Sequence, residues 1–156
     1  MPISPKLGPE AAAANMAEIA PAYKSQEALL EASRCLFCFD APCIQACPTG
    51  IDVPSFIKKI ANGNPTGAAR TILSANILGA SCARVCPTQV LCEGACVVLD
   101  LEGDPVKIGR LQRYSVDWFY ERLVVIARSK MSSARSISSF EIVIGDRKST
   151  RLNSSH

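Results

Sequence analysis

Eight cysteines constrain this 156-residue chain more than any other feature, because all of them lie between Cys35 and Cys96. The first group follows the pattern C-x2-C-x4-C-x3-C-P, and its members are Cys35, Cys38, Cys43 and Cys47. The second group is more widely spaced, and its members are Cys82, Cys86, Cys92 and Cys96. Thiolates are soft ligands that suit iron–sulfur clusters or zinc, so both groups predict metal-binding loops.

The redox compartment decides between metal binding and disulfide bonds. Residues 1–10 are Pro-rich and polar, and they lack the charged start and apolar stretch of a secretory signal. We therefore expect a cytoplasmic protein, in which dense cysteines bind metal or carry out redox chemistry more often than they form disulfides. A disulfide scaffold and a zinc-stabilised interaction module are the alternatives, although zinc sites usually contain paired C-x2-C units and this chain has one.

Composition and charge argue against several other classes. The chain is 48% hydrophobic and 20% charged, as in ordinary globular proteins. Its net charge of +3 is small and scattered, so nucleic acid is not expected as a partner. No apolar run approaches the roughly 18–20 residues that a membrane span needs, so a membrane is not expected either.

The C-terminal residues 146–156, DRKSTRLNSSH, resemble the conceptual translation of a sequencing-library adapter. They contribute three basic side chains and one acidic one, a net +2, so without them the charge falls from +3 to about +1. They also contain the only histidine, His156, which we therefore exclude as a ligand or base. We expect the chain to be a truncated part of a longer protein.

Apolar periodicity predicts helices on both sides of the cysteine groups. Asp52 caps a predicted helix that ends at Gly63, and the apolar face of this helix consists of Val53, Phe56, Ile57 and Ile60. Further helices are predicted over 11–19, from an N-cap at Ser25, over 65–78 and from Ile108 onwards. Strand-like alternation appears only near 140–144. The fold is therefore predicted to be mainly α, with metal-binding loops between helices.

The prolines that follow Cys47 and Cys86 predict how the two groups share their ligands. In two-cluster ferredoxins the cysteine before proline binds the other cluster. By this logic one cluster takes three thiolates of the first group and is closed by the distant Cys96, and its ligands are Cys35, Cys38, Cys43 and Cys96. The other cluster takes Cys47, Cys86 and Cys92 and needs a fourth ligand, either Cys82 or a polar residue on the following helix.

Three strings carry a resemblance to a known family: CLFCFDAPCIQACPTGIDVPSFIKKIANGN, LGASCARVCPTQVLCEGAC and PVKIGRLQRY. They resemble the N-terminal iron–sulfur domain of dihydropyrimidine dehydrogenase and of its bacterial NAD(P)H-oxidising subunit. The resemblance implies a small helical, α-helical ferredoxin-like domain with two [4Fe–4S] clusters. It also implies that Gln112 is the fourth ligand of the second cluster and that Cys82, the alternative, is a small buried hydrophobe. A neutral amide ligand leaves this site less negative and should raise its reduction potential.

The resemblance also implies the function, an electron relay between a flavin and NAD(P)H module and a partner catalytic site. The partner would be a catalytic subunit or domain with FMN and further clusters, in a hetero-oligomer. The segment itself has no catalytic residue that we can identify, so FAD and NAD(P)H belong to the missing downstream region. The small subunit of glutamate synthase is a related alternative, but in that family an acidic residue stands where this chain has Gln112.

These observations divide the chain into four predicted stretches. Residues 1–24 form an N-terminal extension, and residues 25–122 form the helical two-cluster domain. Residues 123–145 are a linker with the possible start of a truncated FAD/NAD(P)-binding domain, because FEIVIG at 140–145 looks like a first strand and first glycine. Residues 146–156 are non-native.

Overall fold

The structure is a computed structural model that describes residues 8–16, 18 and 20–133, with side chains up to Ile126. The predicted strand near 140–144 and the suspected adapter residues lie outside the described residues. Across the described residues the chain forms helices and turns and no strand, so the prediction of a mainly α fold is confirmed. The helices are α1 (Pro9–Asn15), α2 (Ser25–Ser33), α3 (Pro42–Gln45), α4 (Val53–Ala61), α5 (Pro65–Ala75), α6 (Gly79–Val85), α7 (Val97–Glu102) and α8 (Ile108–Ser133), with a 3₁₀ turn at Thr88–Val90.

Helix α4 is the centre of the hydrophobic core, and its predicted apolar face is buried. The Asp52 side chain accepts a hydrogen bond from the Ser55 N–H at 3.1 Å, which confirms the predicted N-cap. The helix ends before Gly63, which has a φ of +67° that few other residues adopt. Helix α4 packs against α2, α5 and α8, and the apolar residues that meet there include Ala28, Phe56, Ile57, Ile60, Ile72, Leu111 and Val116.

The prediction of one helix over 65–78 is wrong, because the chain turns at Asn76. Asn76 has extended backbone angles, and its side-chain oxygen accepts a hydrogen bond from the Leu78 N–H at 3.0 Å. Such local side-chain bonds compete with the helix. A new helix, α6, then begins at Gly79, where a Cβ would lie only 2.7 Å from the Ile72 side chain. The break therefore turns the chain so that α6 can pack on α8.

Other predicted boundaries also differ from the structure, among them that of the N-terminal helix, which spans Pro9–Asn15 where the sequence predicts 11–19. Ser25 is the first helical residue of α2 and not its cap, since Lys24 occupies that position and its N–H donates to Glu27 at 2.7 Å. The predicted cysteine loops contain the short helices α3 and α7. Helix α8 continues through Ser133, and the domain boundary at 122 stays a prediction. Within the described residues no helix is both long enough and apolar enough to cross a bilayer.

Candidate iron–sulfur centres

The first cavity is lined by four thiols that come from both cysteine groups. Three of them belong to the loop before α3 and to α3 itself, and the fourth is the N-cap residue of α7; they are Cys35, Cys38, Cys43 and Cys96. The cavity encloses about 370 Å³ of empty space including its mouth. Its remaining lining is mostly apolar, with Val53 and Ile57 of α4 among the residues that shield the thiols from water. We call this the first centre.

The loop of the first centre depends on two residues with left-handed backbone angles. Phe37 has a φ of +52° and Ala41 a φ of +38°, which is costly for residues other than glycine, by about 1–3 kcal/mol each. The backbone N–H of Phe37 donates to the Cys35 sulfur. Such strain persists where the surroundings enforce it, and here it accompanies a tight turn whose N–H points at a thiol.

Burial dominates the protonation of this centre. It raises the pKa of the Cys35 thiol, and it raises the pKa of Cys43 to about 11, with a further contribution from the neighbouring thiols Cys35 and Cys96. The contributions of Cys35 and Cys96 follow from their position in the same cavity as Cys43. A ligand that needs thiolates must therefore displace protons when it enters.

The second cavity is lined by four thiols and one amide. The members of this set are Cys47, Cys82, Cys86, Cys92 and Gln112. The open space at this site, counted together with solvent at its mouth, is about 340 Å³, close to the value for the first site. Its thiols come from the turn after α3, from α6 and its C-cap, and from the segment after the 3₁₀ turn, whereas Gln112 lies on α8. We call this the second centre.

The Cys47 thiol has a lowered pKa, so it becomes a thiolate more readily than an ordinary cysteine. Burial raises its pKa, but hydrogen bonds outweigh burial, so that the pKa of Cys47 lies below its usual value. The Thr49 hydroxyl lies within hydrogen-bond distance of the sulfur, at 3.4 Å, and the backbone N–H groups of residues 49–51 donate to the sulfur. Gly50, with a φ of +62°, allows the turn that brings these N–H groups to the sulfur.

Cys86 and Cys92 of the second centre have raised pKa values. Burial, followed by the charge of Glu93, raises the pKa of Cys92 to about 12. Burial also raises the pKa of Cys86, and the adjacent Cys82 adds to this through its charge and a hydrogen bond. Cys82 is therefore in contact with a predicted ligand, one helical turn before Cys86 on α6.

Gln112 presents its amide oxygen and not its nitrogen to the cavity. The side chain is 6% exposed, and its nitrogen donates to the Gly79 carbonyl at 2.8 Å. Because a carbonyl only accepts, this bond fixes which end of the amide faces α6. The bond to Gly79 occupies the amide nitrogen, so the amide oxygen is the end of the side chain that can act as a ligand.

The donor set of both cavities fits iron–sulfur chemistry. Within the described part of the chain no three Cys, His, Asp or Glu side chains converge closely enough to hold a single metal ion. The soft thiols instead surround two cavities, and thiolates are the ligands that iron–sulfur clusters prefer. No two of the eight cysteines, all of which the structure describes, form a disulfide.

Two residues near the second centre were not identified from the sequence. Thr49 forms a hydrogen bond with Cys47, and the buried Glu93 directly follows Cys92 in the chain. The position of Thr49 two residues after a cysteine at a turn is a signal that could have found it, since short polar side chains often bond to nearby groups there. Nothing in the sequence around Glu93 indicates that its side chain is buried.

Comparison with known proteins gives matches over most of the chain. The family model described as dihydropyrimidine dehydrogenase domain II, 4Fe-4S cluster, matches residues 12–124. The NAD-dependent dihydropyrimidine dehydrogenase subunit PreT of Escherichia coli K12 is 52% identical over 101 residues, which are 65% of this chain and 24% of that protein. The PreT homolog of Salmonella typhi is 48% identical over the same shares. The matched part of the chain thus spans about a quarter of the length of these curated relatives.

Proposed function

Because the chain belongs to the dihydropyrimidine dehydrogenase domain II family of 4Fe–4S proteins, we propose that it holds two [4Fe–4S] clusters and passes single electrons between them. Cys35, Cys38, Cys43 and Cys96 are the proposed ligands of the first cluster. Cys47, Cys86, Cys92 and Gln112 are the proposed ligands of the second.

One observation carries this proposal: two separate cavities of similar volume, each lined by thiols from both cysteine groups. Cys96 of the second group closes the first centre, and Cys47 of the first group belongs to the second centre. This exchange is the crossed pattern that two-cluster ferredoxins use. It also ties the two loops to each other, so that binding at either centre stabilises both.

When bound, clusters of this type supply one-electron redox chemistry. The residues of this chain would bind and orient the clusters and shield them from water. Backbone N–H groups donate to the sulfurs of Cys35 and Cys47 and favour their thiolate forms. The apolar side chains of α4 cover the first cavity, and Gly79 holds the Gln112 amide with its oxygen free.

The proposed electron source and destination lie outside this domain. The relatives are named as NAD-dependent dihydropyrimidine dehydrogenase subunits, and this chain matches about a quarter of their length. We therefore propose that a flavin and NAD(P)H module supplies the electrons and that a partner subunit with FMN and further clusters receives them. The whole assembly would then oxidise or reduce pyrimidines as a hetero-oligomer.

Spectroscopy on the full chain tests the proposal. Protein purified without oxygen should be brown, with broad visible absorbance that bleaches on reduction by dithionite, and the reduced form should give EPR signals of two centres. A colourless preparation with zinc bound would contradict it and support the zinc module. A colourless, metal-free preparation without free thiols would support the disulfide scaffold.

A further inference from the structure

We propose that the buried carboxylate of Glu93 lowers the reduction potential of the second centre, acting as a fixed negative charge beside its ligands. This inference rests on the proposed function, because it assumes that the second cavity holds a redox centre. It concerns a residue that is not itself a proposed ligand. The argument depends on where Glu93 lies, what it binds and which charges surround it.

Glu93 is buried between the cysteine loop and the start of α8. The residue is 6% exposed, and its carboxylate accepts a hydrogen bond from the Gly109 N–H at 2.9 Å. Gly109 is the second residue of α8, one turn before Gln112. Glu93 also directly follows the proposed ligand Cys92 in the sequence. The carboxylate is therefore held on the same side of α8 as the second centre.

The Glu93 carboxylate lies beside the second cavity. A Cβ built on Gly109 would lie 3.6 Å from a carboxylate oxygen of Glu93 and 3.1 Å from the Thr88 side chain, and Thr88 lines the second cavity. A negative charge held at this place opposes the arrival of an electron at a centre in that cavity. Buried charges are screened far less than exposed ones, so the effect should be large enough to measure.

The neighbouring cations leave this charge without a close partner. Within the described residues no cation lies within 4 Å of the Glu93 carboxylate. Arg84 and Lys107, which line the same cleft as Glu93, pair with Asp117 and Asp104. Arg110, the third cation of the cleft, stacks on the Tyr23 ring and donates to the Pro21 carbonyl.

Glu31 provides a matched control, because its carboxylate also binds the start of α8. It accepts a hydrogen bond from the Lys107 N–H at 2.9 Å, but it forms an ion pair with Arg34 at 2.8 Å. Both glutamates stabilise the N-terminus of α8, because their carboxylates accept hydrogen bonds from N–H groups that have no partner within the helix. They differ in whether a cation offsets the charge.

The experiment is an EPR-monitored redox titration of the full chain, purified without oxygen, as wild type and as the E93Q, E93D and E31Q variants. In E93Q the amide oxygen can still accept from Gly109, so the hydrogen bond is kept and the charge is removed. We expect E93Q to raise the potential of one centre and leave the other unchanged. We expect E93D and E31Q to retain both potentials of the wild type.

Three results would overturn the inference. One is an unchanged potential in E93Q with both centres present, which leaves Glu93 only a structural role. Another is an equal shift in E31Q. The last is loss of the second centre from E93Q but not from E93D, which would show that the carboxylate is needed for assembly. Absence of any cluster from the wild type would instead contradict the proposed function.

Discussion

The two centres are built from the same kinds of parts but differ in how their ligands are determined. The first has four cysteines and no competing donor, and its lining is mostly apolar. The second has five candidate donors, a hydrogen-bonded thiol at Cys47 and a buried carboxylate at Glu93. The first cavity therefore offers only thiols as donors, whereas the second offers thiols and an amide that meet where α6 packs against α8.

This difference indicates which residues could set the reduction potential of each centre. Potentials of iron–sulfur centres depend on net charge, hydrogen bonds to sulfur and exposure to solvent. In our proposal the second centre combines a neutral amide ligand, which should raise its reduction potential, with the Glu93 charge, which should lower it. The first centre has no such opposing pair among the described residues, so its potential depends mainly on its four thiolates and their burial.

Removal of one cysteine should have the largest effect. We expect Cys92→Ala to lose the second centre and about half of the iron, because a buried thiolate cannot be replaced by a methyl group. Cys82→Ala should keep the full iron content, since Cys82 is the non-ligand in our assignment. Iron analysis and EPR of both variants check this. Loss of iron from Cys82→Ala alone would reverse the assignment.

Substitution of Gln112 separates ligand identity from charge. We expect Gln112→Ala to lose part or all of the second centre while the first remains intact. Gln112→Glu should keep both centres but lower the potential of one, because a carboxylate adds a negative charge to its ligand set. EPR-monitored titration measures both outcomes. A Gln112→Ala variant with two unaltered EPR signals would exclude Gln112 as a ligand.

A methyl group at position 79 should destabilise the folded protein, because it disturbs the packing of α6 beside the second centre. The new Cβ would lie 2.7 Å from the Ile72 side chain, so α5 and α6 must move apart. We expect a destabilisation of about 1–3 kcal/mol in chemical unfolding. Gly8→Ala is the control, because a Cβ there meets nothing within 4 Å. Equal stability of Gly79→Ala and Gly8→Ala would contradict the packing described for α6.

The metal-free chain should lose stability at alkaline pH. The folded protein holds the pKa of Cys92 at about 12 and that of Cys43 at about 11, above the ordinary value of 9.0. Above pH 9 these thiols ionise in the unfolded chain but stay protonated in the folded protein. Ionisation therefore stabilises the unfolded state increasingly as the pH rises towards the pKa values of the folded protein. The free energy of unfolding should fall between these pH values, and by less in Cys92→Ala. A fall of the same size in that variant would contradict the burial of Cys92.

Loss of a surface ion pair should have the smallest effect. Arg84 forms a salt bridge with Asp117 at 2.8 Å, and both side chains are partly exposed. We expect Arg84→Ala to cost at most about 1 kcal/mol and to leave the iron content unchanged. Chemical unfolding and iron analysis check this. A loss of iron would mean that Arg84 supports the second centre.

The sequence predicted those parts of the molecule that depend on short-range patterns. The apolar face of α4 and its Asp52 cap follow from local periodicity. The two ligand sets stay predictions, and the thiols of each set line one cavity. The break at Asn76 was missed because the apolar pattern continues past it, while a side-chain hydrogen bond turns the chain. Glu93 was missed because its burial depends on the approach of α8, which is distant in sequence.

The most direct test of the account is the amount of iron and acid-labile sulfide in the full chain, purified and reconstituted without oxygen. Two centres of the 4Fe–4S type predict about eight irons and about eight sulfides per chain. A reproducible value of about four irons or fewer would contradict the assignment of a cluster to each cavity.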